Sequence, residues 1–309
     1  MGTRELHSPP SMVPLFARAG AAMIPGASKL PFIGGGGGRD VPDLTLRLTD
    51  ASIDPDRLSA YNRVCGFDQR DTIPITYPHI LAFPLQLSLM TDPSFPFPAI
   101  GLVHIANRIV QRRAIRRSER LDISVSATPV EAHPRGQQFS LISEVRVEGE
   151  LVWEEVSTNL KRGADHDGAK APGSELPKAP PSGAADHPTN AEDLPATATW
   201  TLSGDLGRRY GSVSGDLNPI HMHPLSARLF GFKSAIAHGM WTKARCLGAL
   251  QSRLPDAFTV EVAFKKPIFL PGKVEFCEAA VEGAAFDVQF GVRDPPKGSS
   301  HLDGRAFSG

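Results

Sequence analysis

A carboxylate and an imidazole, five positions apart, are the residues of this chain best suited to chemistry. Asp216 and His221 lie in the segment Gly-Asp-Leu-Asn-Pro-Ile-His. Gly215 permits unusual backbone angles, Pro219 stiffens the loop, and Asn218 can anchor the turn through side-chain-to-backbone hydrogen bonds. Because a carboxylate and an imidazole are the usual pair for moving protons at neutral pH, we predict a general acid–base pair on a rigid loop.

A second chemical feature is the start of a long apolar helix, predicted over about residues 237–254. Its apolar residues recur every three to four positions, and Pro255 ends it. Gly239 opens this helix in the sequence Ala-His-Gly-Met. A backbone N–H at the positive end of a helix suits an oxygen that becomes negative, so we predict the Gly239 amide as an oxyanion donor.

Two other chemistries are disfavoured by the spacing. Asp216, His221, His223 and His238 carry metal-ligating atoms, but no His-x-x-x-His or glutamate partner accompanies them, so we predict no metal. We interpret His223 as a solvent-side or capping residue and His238 as support for the helix entry. Residues 211–215 spell Gly-x-x-Ser-Gly after a helix, which differs from the nucleophile elbow of serine hydrolases.

Two stretches poor in large apolar residues divide the chain. Residues 34–38 are five glycines without a following Lys-Ser/Thr, which predicts a flexible linker and not a phosphate loop. Residues 163–196 contain six prolines and cannot bury a core. The predicted organisation is a loosely structured N-terminal lead with a Gly-rich linker at 1–40, a first domain at 41–162, a Pro-rich linker at 163–196 and a second domain at 197–309.

Both domains have the same predicted order of elements, with helices before strands. In the second, helices at 204–213 and 237–254 precede strands at 258–264, 274–277 and 286–292. In the first, a helix at 56–66 and a proline-interrupted apolar segment at 75–90 precede strands around 102–110, 122–130, 139–147 and 151–160. This order predicts an α+β fold that arose by internal duplication.

Composition excludes several classes of protein. Lys plus Arg and Asp plus Glu number 33 each, so the electrostatic footprint of a nucleic-acid-binding protein is missing. Three widely spaced cysteines favour reduced thiols and a cytoplasmic location over a disulfide scaffold. No segment approaches the roughly 20 apolar residues of a membrane span, and residues 12–25, interrupted by Pro14 and Arg18, do not suggest export.

The motif resembles a known family. Residues 214–221, Ala227, Gly231-Phe232 and residues 236–240 resemble the hydratase signature of MaoC-like (R)-specific enoyl-thioester hydratases. The wider layout, over about 41–309 without the linker, is similar to the actinobacterial (3R)-hydroxyacyl-thioester dehydratases of the double hot-dog type. The resemblance implies two helices, each wrapped by an antiparallel sheet, that pair through their sheets.

The resemblance also implies the reaction and the roles of the site residues. Water would add reversibly, without a cofactor, across a trans-2-enoyl thioester to give the (3R)-hydroxyacyl product. Asp216 and His221 would hold the water and exchange protons, Asn218 would orient the pair, and the Gly239 amide would polarise the thioester carbonyl. Further residues expected to support the site or contact substrate are Ser214, Gly215, Met240 and Lys265.

The first domain has no equivalent of the catalytic motif. The resemblance implies that it has lost catalysis and that a displaced or broken helix makes room for a longer acyl chain. Residues 80–90 and 95–100 would then line the acyl tunnel, although they also suit an ordinary core.

Several alternatives for partners and function stay open. The acyl group could be carried by coenzyme A or by acyl carrier protein, with Lys243, Lys265-Lys266 or the basic run 108–120 as phosphate or carrier contacts; that run equally suits the solvated face of a hairpin. Two hot-dog units in one chain could form a complete monomer or a homodimer. A hot-dog acyl thioesterase and a catalytically silent acyl-thioester-binding subunit are the alternative functions.

Overall fold

The computed structural model describes residues 2–21, 38, 40–163 and 190–308. The strands within these ranges are β1 Gly2–Leu6, β2 Leu44–Ala51, β3 Val103–Gln111, β4 Leu121–Ala127, β5 Glu131–His133, β6 Gly136–Val147, β7 Glu150–Arg162, β8 Ala196–Leu202, β9 Phe258–Phe264, β10 Gly272–Ala280, β11 Asp287–Arg293 and β12 Ser300–Phe307. The helices are α1 Met12–Ala21, α2 Pro55–Cys65, α3 Tyr77–Met90, α4 Leu206–Ser214, α5 Pro219–Met222, α6 Pro224–Leu229 and α7 Gly239–Leu250.

The order of the strands reveals the duplication. One sheet runs β1-β2-β4-β6-β7-β3-β9-β12-β11-β10-β8, and β5 pairs with β6 outside this path. When the five main strands of each half are numbered along the chain, both halves have the spatial order 1-3-4-5-2. The two halves join edge to edge where β3 pairs with β9 in antiparallel fashion. The α+β double hot-dog fold is therefore confirmed, and the repeated strand order agrees with an internal duplication. The predicted order of helices before strands is wrong for the first strand of each half, because β2 precedes α2 and β8 precedes α4.

The first long helix differs from its prediction. The apolar segment 75–90, expected to be interrupted or broken by prolines, forms one helix, α3, with Pro84 inside it. An internal proline removes one helical hydrogen bond, but α3 is buried on nearly all sides. Because such a helix packs on neighbours all around, tertiary burial outweighs the local cost of Pro84.

One apolar core runs through both halves. Trp241 of α7 is buried and its indole Nε1 donates to the backbone oxygen of Val64 in α2, at 2.9 Å. Tyr61 of α2 packs edge-on against Tyr77 of α3, with ring centroids 5.2 Å apart, and at 6.2 Å from Tyr210 of α4. The helices of the two halves are therefore held by direct contacts as well as by the shared sheet.

The N-terminal lead is more ordered than predicted. Residues 2–6 form β1, which pairs in parallel with β2 at the edge of the sheet. The helix α1 buries Leu15 and Ala19. The prediction of a loosely structured lead is wrong for residues 2–21, because edge pairing and burial of one helix face stabilise a segment whose local sequence signals are weak. The glycine run falls almost wholly outside the described residues.

The predicted Pro-rich linker is ordered at its C-terminal end. Residues 164–189 lie outside the described residues, whereas Ala191–Asp193 form a 3₁₀ turn before β8. The backbone N–H of Ala191 donates to Asp303 Oδ1 at 2.8 Å, and Ala191 is fully buried. The second half therefore begins a few residues before position 197. In the part of the chain that is described, no helix combines the length and apolarity needed to cross a membrane.

Candidate active site

The candidate catalytic loop begins where α4 ends. Gly215 adopts a left-handed conformation with φ of 83°, and its N–H donates to the oxygen of Gly211 at 2.8 Å. A glycine takes this helix-ending conformation without the steric penalty of a side chain. Two hydrogen bonds hold the next residue, Asp216. Its backbone N–H donates to Ser214 Oγ at 3.1 Å, and its side-chain Oδ1 accepts from the N–H of Asn218 at 3.0 Å.

His221 lies on a short helix and not on the loop that the sequence predicts. Asn218 caps α5, because its side-chain oxygen accepts from the N–H of Ile220 at 3.4 Å, and Pro219 occupies the first helical position. Both choices are typical of helix starts. Asn218 therefore holds Asp216 through its backbone and starts the helix of His221 through its side chain.

Two glycines on one face of α4 allow the loop to approach. A Cβ built on Gly207 would lie 1.9 Å from the backbone oxygen of His221. A Cβ on Gly211, one turn later, would lie 2.9 Å from the backbone oxygen of Asp216. Sequence reasoning missed both residues, although their four-residue spacing on a helix before the motif is a signal of close backbone packing.

Asp216, His221 and His238 form one cluster. The two imidazole rings stack with centroids 3.7 Å apart and 24° between their planes. His238 Nε2 lies 3.1 Å from the backbone oxygen of Asp216 and 3.7 Å from its Oδ2. Tyr210 packs against the ring of His238, with ring centroids 4.8 Å apart. His238 does precede α7, as its predicted role in helix entry requires, but its side chain makes no capping hydrogen bond and instead braces the cluster.

A hydrogen bond to the backbone defines the tautomer of His221. His221 Nδ1 lies 2.8 Å from the backbone oxygen of Ile236, which can only accept, so Nδ1 carries the proton. Its Nε2 then has a lone pair in the neutral ring. Burial lowers the pKa of His221, although the Asp216 charge opposes this effect. Burial and the neighbouring His221 lower the pKa of His238 to about 3. Both rings are therefore neutral at neutral pH.

Gly239 presents its backbone to the same space. It is the first residue of α7, so its N–H belongs to the group that has no partner within the helix. A Cβ on Gly239 would lie 2.9 Å from the ring of Phe264, so the backbone sits tightly against that ring. A 12-residue helix also places the positive end of its dipole here.

The cluster opens into a cavity of about 750 Å³ that both halves line. From the second half come Asp216, His221, Gly239, Met240 and Phe264, among others. From the first half come Phe16 of α1 and one face of α3, including Ile80, Phe83, Leu87 and Met90. Of the predicted tunnel-lining segments, 80–90 contributes these four residues and Gln86, and 95–100 contributes Ala99 and Ile100.

Positive residues line one end of this cavity. Lys161, Arg162, Lys265 and Lys266 are among its lining residues, and Lys265 Nζ lies 3.4 Å from Asp303 Oδ2. The prediction of Lys243 as a possible phosphate contact is wrong, because its side chain is fully buried and its Nζ donates to Asn107 Oδ1. In the basic run 108–120, five arginines pair with acidic residues: Arg108, Arg112, Arg113, Arg117 and Arg120. These ion pairs agree with the interpretation of the basic run as the solvated face of a hairpin.

The cluster also offers atoms to a metal ion. One ligand atom each of Asp216, His221 and His238 lies within 4.8 Å of the others. Two of the imidazole nitrogens already contact backbone oxygens, so two nitrogens and the carboxylate would be left for coordination. His223 is exposed and caps α6 by accepting from the N–H of Leu225 at 3.2 Å, as its capping interpretation predicts. The expectation of no metal stays a prediction.

The first half holds the second in place at the site. Arg57 of α2 donates from Nε to the oxygen of Val213 at 2.8 Å and from Nη2 to the oxygen of Ser214 at 3.2 Å. A cation at the C-terminus of a helix satisfies its last carbonyls. The carbonyls lie two and three residues before Asp216, which makes Arg57 a positioning residue that the sequence did not reveal.

Comparisons with known proteins find relatives in sequence and in fold. The family described as MaoC like domain matches residues 187–291. A 3-hydroxyacyl-thioester dehydratase of Mycobacterium tuberculosis is 36% identical over 264 residues, which are 85% of this chain and 88% of that protein. The crystal structure of HtdX of M. tuberculosis matches with a TM-score of 0.72 at 32% identity, over 85% of this chain and 99% of that one. A MaoC-like dehydratase from Phytophthora capsici shares the fold, with a TM-score of 0.62 at 19% identity, over 86% of this chain and 95% of that one.

Proposed function

Since the chain belongs to the MaoC-like dehydratase family, we propose that it hydrates trans-2-enoyl thioesters reversibly to (3R)-hydroxyacyl thioesters. Dehydration is the same reaction in reverse. The observation that supports this proposal is the convergence of the Asp216 carboxylate, the His221 imidazole and the Gly239 amide on one cavity with an apolar wall. A proton-transferring pair and an oxyanion donor are the two devices that this reaction needs.

The proposed mechanism uses Asp216 and His221 as a water-holding pair. In the hydration direction the water oxygen adds to C3 of the enoyl group, and the pair takes one of its protons. His221 Nε2 has the lone pair for this step, because Nδ1 is occupied by the oxygen of Ile236. The pair then delivers a proton to C2, so that one water is added in total. A positioned acid or base contributes roughly 10²–10⁴ in rate.

The second part of the mechanism is the stabilisation of the enolate. Addition at C3 moves negative charge to the thioester oxygen, and the Gly239 N–H at the start of α7 donates to that oxygen. One such donor contributes roughly 10²–10³ in rate. Because the pair would hold the water on one side of the substrate, a single face of C3 would be attacked and a single enantiomer would form; the (R) configuration is proposed from the family resemblance.

The deciding experiment measures two products in parallel. Purified protein is incubated with crotonyl- and dodecenoyl-coenzyme A, and both enoyl absorbance and free thiol are followed. We expect absorbance to fall without release of thiol, and chiral analysis to give the (3R) alcohol. Release of thiol would favour the thioesterase, and binding without turnover would favour the silent subunit; either result would refute the proposal.

Variants of the pair connect the activity to the site. We expect Asp216→Asn and His221→Ala each to lower kcat about 10²–10⁴-fold, with melting temperature and circular dichroism close to wild type. Ser212→Ala, on the exposed side of α4, is the control that should keep full activity. If activity and thermal stability fell together in the pair variants, Asp216 and His221 would have a structural role instead.

The proposal extends to carrier and location. Coenzyme A or acyl carrier protein would present the thioester, and the lysines of the positive end, with Lys265 among them, would meet its phosphates. Cys65, Cys246 and Cys277 are buried free thiols, which suits the reducing cytoplasm.

The paired hot-dog units would act within one chain, as a monomer or as a homodimer of such chains. Gel filtration with light scattering distinguishes these two states.

A further inference from the structure

A polar stripe crosses the wall of the cavity in the first half. Alternate residues of a strand face the same side of a sheet, and on β7 one side carries Glu155, Ser157, Asn159 and Lys161. Glu155 and Ser157 are buried, and the other two lie nearer the positive end of the cavity. The last three of these side chains line the cavity. A wall that only accommodated an alkyl chain would be apolar here.

Behind the wall, Glu155 organises a buried hydrogen-bond network. It accepts from His79 Nδ1 at 2.8 Å, from Asn107 Nδ2 at 2.8 Å and from Gln86 Nε2 at 2.9 Å. Lys243 of α7 in turn donates to Asn107 Oδ1 at 2.5 Å. Burial raises the pKa of Glu155, but His79 and the hydrogen bonds outweigh burial and lower it to about 2. The carboxylate is therefore ionised, and His79 must donate to it through Nδ1.

The network leaves hydrogen-bonding capacity on residues that line the cavity. His79 lines the cavity, and with Nδ1 committed to Glu155 only its Nε2 is left for another partner. The Ser157 hydroxyl accepts from Asn107 Nδ2 at 2.9 Å, so its own proton can still be donated. His104 also lines the cavity, and its Nε2 is buried without a hydrogen-bond partner among the described residues. Burial and the neighbouring His79 lower the pKa of His104 to about 4, which leaves this ring neutral.

These groups belong to the same cavity as the reacting centre. His104 of β3 packs against Phe264 at 4.8 Å between ring centroids, and Phe264 is the residue that abuts Gly239. Lys243 lies four residues after Gly239 on α7, about 6 Å along the helix. The polar groups therefore line the same cavity as the reacting centre and the apolar residues of α3.

We propose that His79, His104 and Ser157 form a polar subsite that binds an oxygen-bearing group, a hydroxyl or a carbonyl, on the acyl chain of the substrate. This inference rests on the proposed function, since it concerns the acyl group of the same thioester. The favoured substrates are acyl thioesters oxygenated beyond C3. An alkyl chain in the same place would offer these polar groups no hydrogen-bond partner, which disfavours it.

The experiment measures binding, so that it does not depend on turnover. Calorimetry compares dodecanoyl-coenzyme A with a series of its analogues that carry one hydroxyl at each position from C6 to C12. These saturated thioesters cannot be hydrated, and their affinities report the subsite alone. We expect at least one analogue to bind about 10- to 100-fold more tightly than the alkyl compound. Equal or weaker binding of every analogue would overturn the subsite.

Matched variants locate the effect. Ser157→Ala removes one hydroxyl from the cavity wall, and we expect it to reduce the preference for the hydroxylated chain about 10-fold. Ser140→Ala is the control: Ser140 lies on the neighbouring strand β6 and bonds Thr158 at 2.9 Å, outside the cavity lining. His79→Leu tests the same preference but removes a partner of Glu155, so Ser157→Ala remains decisive if that variant fails to fold. A preference unchanged by Ser157→Ala would overturn the assignment.

The two proposals can fail separately. Hydration of dodecenoyl-coenzyme A together with equal binding of alkyl and hydroxylated chains would leave the proposed function standing and remove the subsite. Selective binding of a hydroxylated chain without any hydration would support the subsite and refute the hydratase activity.

Discussion

Replacement of Gly207 by alanine tests whether α4 sets the position of the catalytic histidine. The alanine Cβ would lie 1.9 Å from the backbone oxygen of His221. Since contacts of Cβ atoms below 3.0 Å essentially do not occur, the oxygen must move by at least 1.1 Å, the difference between 3.0 and 1.9 Å. The first turn of α4 cannot easily supply this movement, because α4 packs on α2 through Tyr210 and Tyr61 and its C-terminus is held by Arg57. The displacement therefore falls on α5, which carries His221.

The expected losses of activity and of stability differ in size. A misplacement of about 1 Å can lower the rate about 10²-fold, so we expect kcat of Gly207→Ala to fall by about that factor. Stability should change less: overpacking costs about 1–3 kcal/mol, whereas alanine in place of glycine within a helix stabilises by about 0.5–1 kcal/mol. The net loss in the free energy of unfolding is then at most about 2.5 kcal/mol.

The assay combines turnover with unfolding. Initial rates with an enoyl thioester give kcat and KM, and urea unfolding gives the free energy of unfolding for the same preparations. Ser212→Ala also adds an alanine to α4, but on its exposed side, and should change neither kcat nor the unfolding free energy by much. Wild-type kcat in Gly207→Ala, or a loss of activity no larger than the unfolded fraction, would refute the steric reasoning.

Two further predictions concern pH and the contact between the halves. Burial lowers the pKa of His221 from its usual 6.5, and the neutral ring acts as the base. Activity should therefore fall on acidification only below pH 6.5. A fall in kcat/KM already above pH 7 would contradict this assignment. Arg57→Ala should lower kcat and destabilise the fold by about 1.5–3 kcal/mol per lost charged hydrogen bond to Val213 and Ser214. Arg63→Ala, on the exposed side of α2, should do neither.

The features that could be predicted from the sequence are local in the chain. Asp216, His221 and the helix start at Gly239 belong to a short motif whose glycines, asparagine and proline each act on near neighbours. Most helices and strands followed from apolar periodicity, with errors of a few residues at their ends, but β2, β8 and β12 were not predicted. Pro84 is an exception, since its local cost suggested a break that the surrounding core overrides.

The features that could not be predicted depend on residues distant in the chain. Arg57 reaches carbonyls more than 150 positions away, and Glu155 contacts His79 from 76 positions away. The stacking of His221 on His238 requires the loop and the start of α7 to be folded together. The strand β1 is almost entirely exposed and has no apolar alternation, so only the free edge of β2 explains it.

The half without the motif contacts the site of the other half at several points. Its Arg57 holds the end of α4, its α3 forms a wall of the cavity, and its Asn107 accepts the buried ammonium of Lys243 from the helix that begins at Gly239. Lys243 Nζ also donates to the backbone oxygens of Asn107 in β3 and Val260 in β9, both at 3.3 Å, so its hydrogen bonds depend on the strand pair that joins the two halves. In a duplicated fold of this kind, one half can lose its catalytic residues because its surface, not its chemistry, completes the site. The half without the motif carries His79 and Ser157 on the cavity wall, and in the proposed subsite these residues would select the acyl chain at a place separate from the reacting centre.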